Sequence, residues 1–378
     1  MILSEEQAMI RDMARDFAEG RLAPNSAAWE EVEAIPADVF AEMGSLGLMG
    51  MTVPENYGGA DTDFVSYALA LMEIAGGDGA VSTVMSVNNS PCCAALLKEG
   101  TEQQKQDYLV PLAKGEIIGA FCLTEPQAGS DAAALKTRAR KDGDDYVING
   151  TKQFITSGKI GGVALVFAVT DHAAGKKGIS CFIVPTSAEG YRVASVEKKL
   201  GQKASDTCQI AFDAVRVPAE NMLGAEGAGY RIALANLETG RIGIGAQSVG
   251  MASAALKHAL EYSKERKSFD KAIIDHQAVG FRLADMATKL EAARQMVLHA
   301  ATYKDAGIPC LTEASMAKLF ASEVAEEICS GAIQTLGGNG YITDYPVEKI
   351  YRDVRVCQIY EGTSDIQKLV IARNLAAA

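Results

Sequence analysis

The change of hydrophobic period along the chain is the feature that most constrains its fold. Up to about Gly115 apolar residues recur at helical spacing, whereas short β-like runs follow between Gly119 and about Gly224. Helical spacing returns after Gly229 and persists. The chain is therefore predicted to be an α+β protein with a helical domain over 1–118, a β domain over 119–225 and a helical bundle over 226–378.

Particular residues carry this pattern. Predicted helix faces are marked by Met9, Ile10, Met13 and Phe17, by Phe64, Ala68, Leu71, Met72 and Ala75, and by the stripe Leu283, Met286, Leu290, Ala293 and Val297. Strand-like runs cover 146–148, 164–169 and 179–184. Asn149-Gly150 predicts a two-residue hairpin turn between strand-like segments. A stripe of this kind is more often core than cofactor site, and we interpret it as core.

Composition and charge exclude several classes of function. The net charge is -12, which argues against nucleic acid as the principal partner, and no apolar run is long enough to span a bilayer. The first residues, with Ser4 and Gln7 spaced as a capping box, indicate a helix start rather than a leader, so a cytoplasmic location is expected.

Cysteine and histidine spacing gives no metal site. The eight cysteines are expected to be reduced and mostly buried, and the histidines are expected to be structural. These residues are Cys92, Cys93, Cys122, Cys181, Cys208, Cys310, Cys329 and Cys357, and His172, His258, His276 and His299. No Gly-x-Gly-x-x-Gly follows a strand, so a Rossmann nucleotide site has little support.

Near the C-terminus, Glu361 stands between an apolar pair and a Gly-Thr-Ser turn. Burial beside Ile359 and Tyr360 raises a carboxyl pKa toward the range of a general base, and Gly362 allows close approach to the backbone. A surface glutamate at a helix start is the alternative reading of these ten residues.

Four other segments suit a ligand-binding role, and each also suits a purely structural role. The loop at 121–131 exposes hydroxyls and backbone N–H groups, which suit a flat polar cofactor edge or an ordinary Pro-Gly turn. Phe154 suits either stacking on a flavin or packing in the core. Glu238 to Arg241 is expected to begin a Gly- and Ala-rich helix, and Arg241 suits an anionic partner or a structural ion pair. The segment 334–341 suits a pyrophosphate or a helix C-cap.

Together these segments resemble the acyl-CoA dehydrogenase family over essentially the whole chain. The matching motifs are Leu-Thr-Glu-Pro-x-x-Gly-Ser-Asp at 123–131, Glu-Thr-Gly-Arg at 238–241, Arg-Lys-x-Phe at 266–269, Gln-x-x-Gly-Gly-x-Gly-Tyr at 334–341 and Tyr-Glu-Gly-Thr at 360–363. The resemblance implies an N-terminal all-α domain, a middle antiparallel β domain and a C-terminal four-helix bundle. It also implies a homotetramer with one FAD per subunit.

The resemblance implies roles at matching positions. Glu361 is implied as the catalytic base. FAD contacts within the subunit are implied for Phe121, Leu123, Thr124, Gly129, Ser130, Phe154, Ile155, Thr156, Thr363, Ser364 and Asp365. Contacts to a neighbouring subunit's FAD are implied for Arg266, Phe269, Gln277, Gln334, Leu336, Gly337 and Gly338. The acyl-CoA path is implied to be lined by Ser130, Glu238, Thr239, Arg241, Tyr360 and Gly362.

This chain departs from the pattern at two places. Many relatives carry Trp at Phe154 and Asn at Ser157, but Phe keeps an aromatic face. Some relatives place the base directly before the arginine, where this chain has Gly240, so the base is assigned to Glu361.

The implied reaction is α,β-dehydrogenation of a short-chain, possibly branched, acyl-CoA such as butyryl-CoA, with electron-transfer flavoprotein as acceptor. An acyl-CoA oxidase or a desulfinase-like relative is the rival within the fold. A non-catalytic acyl-CoA or flavin-binding protein, or a helical interaction module, is the rival from another class.

Overall fold

Helices build the first third of the chain in the computed structural model, which describes residues 1–377. They are α1 (Glu5–Phe17), α2 (Ser26–Glu31), α3 (Ala37–Ser45), α4 (Phe64–Gly77), α5 (Gly79–Val87), α6 (Ala94–Glu99), α7 (Glu102–Gln104) and α8 (Val110–Ala113). The predicted capping box is confirmed, since the Ser4 hydroxyl accepts from the Gln7 N–H and the Gln7 amide accepts from the Ser4 N–H. The predicted face of α4 is buried or half-buried, whereas Met9 on α1 is exposed and does not join the core.

A mixed β-sheet follows. Its strands are β1 (Gly119–Cys122), β2 (Arg138–Asp142), β3 (Asp145–Thr156), β4 (Val163–Val169), β5 (Ile179–Pro185), β6 (Tyr191–Val196), β7 (Thr207–Pro218) and β8 (Met222–Leu223). The order is β6-β7-β3-β2-β4-β5-β8, with β1 paired to β4. Most neighbours are antiparallel, but β1 and β2 both run parallel to β4. The central strands β4 and β5 are buried along almost their whole length, so both faces of the sheet are covered there.

The hairpin predicted at Asn149-Gly150 is wrong. Strand β3 runs through both residues, and its pairing with β7 shifts register between Ile148 and Gly150, which is a β-bulge. The hairpin turn lies instead at Gly143 and the following aspartate, since Asp142 pairs with Asp145. A Cβ on Gly150 would lie 2.4 Å from the Thr137 hydroxyl, so this glycine permits close approach of a neighbouring segment.

Three long helices dominate the rest of the chain. The elements are α9 (Gly229–Glu265), β9 (Lys267–Ser268), β10 (Lys271–Ala272), α10 (Gln277–Asp305), α11 (Leu311–Leu336), α12 (Val347–Val354) and α13 (Ser364–Ala377). Helices α9, α10 and α11 pack on one another, and α13 packs on α11. The expectation that a helix begins at Glu238 is wrong, because α9 begins at Gly229 and Glu238 lies inside it. The stripe on α10 is buried, as predicted.

Helix α9 also connects the two helical parts. It packs against α4, so that the N-terminal and C-terminal helices share one hydrophobic core. All eight cysteines are free and buried, as expected. Within residues 1–377 no helix combines the length and the apolar character required to cross a membrane.

A buried charge cluster joins three parts of the chain. Lys349 on α12 donates to Asp353 at 2.7 Å and to Asp78, at the start of α5, at 3.2 Å. Asp353 also accepts from the backbone N–H of Gln202, which lies between β6 and β7, and Asp78 accepts from the Ser26 hydroxyl. Because α12 leads directly to the segment that carries Glu361, this cluster fixes where that segment lies.

We predict that Lys349→Met destabilises the protein by about 3–5 kcal/mol, because it leaves two buried carboxylates without a cation. Chemical denaturation followed by circular dichroism measures the loss. Lys257→Met is the matched control, since its ion pair with Glu19 is solvent-exposed and is expected to contribute less than about 1 kcal/mol. Equal losses in the two variants would contradict the assignment.

Candidate functional site

A left-handed turn presents Glu361. A 3-10 turn at Arg355–Gln358 ends just before it and α13 begins just after it. Glu361 has φ 51° and Gly362 has φ 93°, so two successive residues occupy the region that side chains disfavour. A Cβ on Gly362 would lie 2.7 Å from the Gln367 side-chain nitrogen, which donates to the Gly362 carbonyl at 2.8 Å. The turn therefore requires glycine at 362 and is held from α13.

The Glu361 carboxyl lies directly against α9 at Gly240. A Cβ at Gly240 would lie 1.9 Å from Oε2 of Glu361 and 2.8 Å from its carboxyl carbon. The residue as a whole is half-buried, but Oε2 is inaccessible to solvent and has no hydrogen-bond partner within residues 1–377. Burial raises the pKa of Glu361 to about 7, although Lys318 and Arg241 act to lower it. A carboxyl of this kind is able to accept a proton near neutral pH.

Two buried cations flank this carboxyl without pairing with it. Arg241 on α9 is 7% exposed and donates to the Ser315 hydroxyl at 3.2 Å, while its Nε has no partner within the described residues. Lys318 on α11 is fully buried and donates to the Gly362 carbonyl at 2.8 Å. The alternative of a structural ion pair for Arg241 is not what the structure shows.

Tyr360 is fixed by a polar network that the sequence did not reveal. Its hydroxyl donates to Gln247 on α9 at 2.9 Å, and the Gln247 amide nitrogen donates to Ser82 at 2.7 Å and to Thr83 at 3.0 Å. Thr83 in turn donates to Gln202 at 2.5 Å. The network ties the residue before Glu361 to α5, α9 and the β domain.

The loop after β1 is held by a buried ion pair. Lys152 on β3 donates to Glu125 at 2.8 Å and to the Leu123 carbonyl at 3.1 Å, and both charged side chains are almost inaccessible. Burial alone would raise the pKa of Glu125, but Lys152 and backbone N–H donors outweigh it and hold the pKa at about 2. The loop therefore stays ordered while Gly129 and Ser130 remain exposed at its tip.

A flat apolar face lies beside this loop. Phe154 has φ 57° and is 64% exposed, so it is not the core phenylalanine of the plainer alternative. Ile155 is buried, Thr156 is half-buried, and the buried Ser157 hydroxyl has no partner within the described residues. An exposed ring beside an unsatisfied hydroxyl fits a planar group with polar edges, such as a flavin.

The remaining predicted contacts of this region fall in two environments. Phe121 packs against Phe167 with ring centres 4.8 Å apart, Leu123 is buried and Thr124 is half-buried. Beyond the turn, the Thr363 hydroxyl accepts from the Ile366 N–H at 3.3 Å and caps α13. The Ser364 hydroxyl is buried without a partner in the described chain, and Asp365 is exposed.

A second predicted cluster lies at the far end of α9. Arg266 follows the last residue of α9, 26 positions after Gly240, which places it about 39 Å along the helix at 1.5 Å per residue. Phe269 is 90% exposed, and Arg266 and Gln277 are exposed too.

The glycine-rich segment after α11 completes this second cluster. Gln334 lines a groove of about 290 Å³ between α10 and α11, and Cβ atoms on Gly337 or Gly338 would meet open space. Gly337, with φ 62°, ends α11, as the C-cap alternative predicted. Leu336 is directed into the core, so only its backbone is available there.

On α9, Glu238 is half-buried and Thr239 is buried, one position before Gly240. The structure thus brings together Glu361, Gly362, Tyr360, Gly240 and Arg241 from motifs far apart in the chain. Sequence reasoning missed Lys318, Gln247 and Gln367. The one available signal was Lys318, a lysine among small residues on a predicted helix face. A buried cation requires a polar or charged partner, so its position indicated a polar site in the core.

Comparison with known proteins gives consistent matches. Family profiles described as the acyl-CoA dehydrogenase N-terminal, middle and C-terminal domains match residues 4–116, 120–215 and 227–376. A short-chain specific acyl-CoA dehydrogenase from Clostridium acetobutylicum is 45% identical over 99% of this chain and 98% of its own length.

Solved structures agree with the sequence matches. The butyryl-CoA dehydrogenase from Megasphaera elsdenii is 42% identical, with a TM-score of 0.97 over 100% of this chain and 99% of that one. A chain from a structure described as the electron transferring flavoprotein of Acidaminococcus fermentans is 45% identical, with a TM-score of 0.98 over 100% of both chains.

We predict that Gly240→Ala displaces the Glu361 carboxyl, because the new methyl group would overlap Oε2. Because Oε2 is the end of a flexible side chain that can move aside, and alanine favours a helix over glycine, the free energy of unfolding is expected to change by less than about 1 kcal/mol. The displacement of the carboxyl is measured in a crystal structure of the variant. Gly20→Ala is the control, since that helical glycine has open space around its Cβ position. A crystal structure of Gly240→Ala with the Glu361 carboxyl unmoved, as in Gly20→Ala, would refute this contact.

Proposed function

The chain belongs to the acyl-CoA dehydrogenase family of FAD-dependent oxidoreductases, and we propose that it oxidises a short-chain acyl-CoA to the trans-2-enoyl-CoA with Glu361 as the base. The observation that carries the proposal is the Glu361 carboxyl, buried against Gly240 with a pKa raised to about 7. In the reaction an α proton passes to this carboxylate and a hydride leaves the β carbon, so that a C=C bond forms and the substrate loses two electrons.

The residues present fit FAD. The exposed ring of Phe154, the open tip at Gly129 and Ser130, and the unpartnered hydroxyls of Ser157 and Ser364 offer a flat face with polar edges. We infer that the loop at 121–131 and the end of β3 hold the isoalloxazine. When bound, FAD supplies the acceptor for the β hydride.

Glu361 contributes a backbone donor as well as its carboxyl. Its N–H has no backbone acceptor within residues 1–377, and it belongs to the same turn as the carboxyl. We infer that this N–H donates a hydrogen bond to the thioester carbonyl oxygen, where negative charge develops as the α proton leaves. A preorganised donor of this kind typically contributes about 3–4 kcal/mol to lowering the barrier.

A short acyl chain is supported by the packing beside α9. One turn after Gly240, a Cβ on Gly243 would lie 3.0 Å from the Ser86 hydroxyl and 3.1 Å from the Tyr67 hydroxyl. An acyl chain that continued along α9 would therefore meet filled space within about 5 Å, the rise of a helical turn. The named substrates of the Clostridium and Megasphaera relatives support the same range. Flavin reduction across a series of acyl-CoA lengths and branches tests this choice.

Electron-transfer flavoprotein is proposed as the acceptor, supported by the likeness to the Acidaminococcus structure. Reoxidation of the reduced enzyme by that partner, with slow reoxidation by dioxygen, is the expected result. Rapid reoxidation by dioxygen alone would instead favour an acyl-CoA oxidase. A cytoplasmic location is proposed as well, and the eight free thiols suit a reducing compartment.

A homotetramer is proposed as well, supported by a second cluster of predicted FAD contacts that lies far from Glu361. Arg266 lies about 39 Å from Gly240 along α9, and it is exposed together with Phe269, Gln277 and Gln334. We infer that this cluster contacts the FAD of a neighbouring subunit. Aromatic residues as exposed as Phe269 and Tyr341 support a covering partner surface.

We predict that Glu361→Gln lowers the rate of flavin reduction by butyryl-CoA about a hundred- to ten-thousand-fold while FAD stays bound, because only the base is lost. Anaerobic stopped-flow absorbance measures the rate. Glu19→Gln, which alters an exposed carboxylate paired with Lys257, is the control and is expected to match the wild-type rate. Bleaching of Glu361→Gln at the control rate would remove Glu361 from this role.

The pH dependence follows from the same group. Since the base acts only when ionised and burial raises its pKa to about 7, the wild-type rate is expected to fall as pH decreases through about 7.

We predict that Arg266→Ala lowers FAD content and weakens the oligomer together, because one side chain serves both contacts. The ratio of flavin to protein absorbance and sedimentation velocity measure the two effects. Arg140→Ala, which alters an exposed side chain on strand β2, is the control. Loss of FAD without any change in sedimentation would contradict the coupling.

A further inference from the structure

Lys318 is an unusual buried cation. It lies in the middle of α11, on a buried face of small side chains, and its own side chain is fully inaccessible. The small residues around it are Ala314, Ser315, Ala317, Ala321 and Ser322. The other deeply buried lysines, Lys152 and Lys349, each pair with a carboxylate. Within residues 1–377 Lys318 forms no ion pair, and its one hydrogen bond goes to a backbone carbonyl.

That carbonyl belongs to the turn that carries the proposed base. The ammonium of Lys318 donates to the Gly362 oxygen at 2.8 Å. The Gln367 amide donates to the same oxygen, also at 2.8 Å, so the carbonyl would keep a partner without the lysine. The fold therefore does not need this cation to satisfy a buried acceptor.

Burying an ammonium without a carboxylate costs free energy that an apolar side chain of similar length would not cost. Burial lowers the pKa of Lys318 to about 8, against the influence of Cys357 and Glu361, so the group remains largely cationic at neutral pH. A cation kept at such a cost beside a reactive carboxyl indicates a functional requirement.

We propose that Lys318 is a positioning residue for the base: its ammonium is a second donor to the Gly362 carbonyl, beside Gln367, and orients the left-handed turn so that Glu361 lies against Gly240. Its positive charge also favours the ionised form of the Glu361 carboxyl, although the two groups form no ion pair within residues 1–377. This inference rests on the proposed function, since it concerns the base of that reaction. Lys318 touches neither substrate nor cofactor in this assignment and acts through the turn.

The other ionisable groups around this pair are identified in the structure. They are Arg241 and Glu238 on α9, Tyr67 on α4, Cys357 and Tyr360 before the turn, and Glu323 on α11. Arg241 is the second cation that lowers the pKa of Glu361, so it remains when Lys318 is replaced. Removing Lys318 therefore raises the pKa of Glu361 without leaving the carboxylate uncompensated.

The test compares Lys318→Met and Lys318→Gln in the FAD-loaded protein. Methionine removes both the charge and the hydrogen bond, whereas glutamine keeps an N–H donor. For Lys318→Met, kcat is expected to fall about ten- to a hundred-fold with little change in KM, since the base is misplaced but the acyl-CoA path is intact. The acid limb of the rate profile is expected to move upward by about one pH unit in both variants, because both lose the charge.

Thermal unfolding supplies a readout that is independent of the substrate. A structural cation would lower Tm when removed, whereas a costly functional cation leaves Tm unchanged or raises it. We expect Lys318→Met to unfold at or above the wild-type Tm. Exchange of the α protons of butyryl-CoA for solvent deuterium, slowed in parallel with kcat, reports on the base without turnover to product.

Two controls match the changes. Ser322→Ala alters the same helix one turn further on, where the hydroxyl donates to the Leu319 carbonyl, and Lys257→Met removes an exposed lysine charge. Both are expected to keep the wild-type kcat and acid limb. Wild-type kcat and an unmoved acid limb in Lys318→Met, or a clear loss of Tm, would overturn the inference.

Failure of the proposed function is recognised separately. A wild-type protein whose flavin no acyl-CoA reduces would refute the proposed function, and the Tm comparison of Lys318→Met would still decide whether the lysine is structural.

Discussion

The contact between the Glu361 carboxyl and the bare backbone of Gly240 is the constraint on which the site depends. It requires a glycine inside a 37-residue helix, a left-handed residue before Gly362, and a partner in Gln367 that closes the turn. None of these features lowers the free energy of an isolated segment, and the helical glycine and the left-handed residue raise it. The surrounding helices determine the geometry, because α9, α11 and α13 meet only through tertiary packing.

Opposing effects set the pKa of the Glu361 carboxyl, and no direct ion pair neutralises its charge within residues 1–377. Burial raises the pKa of Glu361, and Arg241 and Lys318 lower it without touching the carboxylate. A direct ion pair would have held the carboxylate ionised and reduced its basicity, as Lys152 does for Glu125, whose pKa is about 2. The two buried carboxylates show how separation from a cation distinguishes a structural group from a proposed catalytic one.

Much of the architecture was predictable because hydrophobic period reports local structure. The helix stripe on α10, the strands near 164–169 and 179–184, and the capping box at Ser4 follow from neighbours along the chain. The hairpin turn predicted at Asn149-Gly150 was wrong because the same residue types favour a bulge and a hairpin turn. Only the pairing with a distant strand distinguishes the two.

The candidate site was predictable where motifs carry it and unpredictable where contacts are long-range. Glu361 and Arg241 were found from their segments, but the roles of Lys318 and Gln247 arise from partners 44 and 113 positions away. No spacing rule connects such residues. Likewise, the distance between Gly240 and Arg266 becomes informative only once α9 is known to be continuous between them.

A titration of the Glu361 carboxyl itself measures whether this group is a buried base. Infrared difference spectra of the FAD-loaded protein, taken against Glu361→Gln, isolate the band of the protonated acid. We expect this band to disappear with a midpoint of about pH 7. A midpoint at the ordinary glutamate value of 4.5 would mean that the carboxyl is solvated and would contradict the buried base.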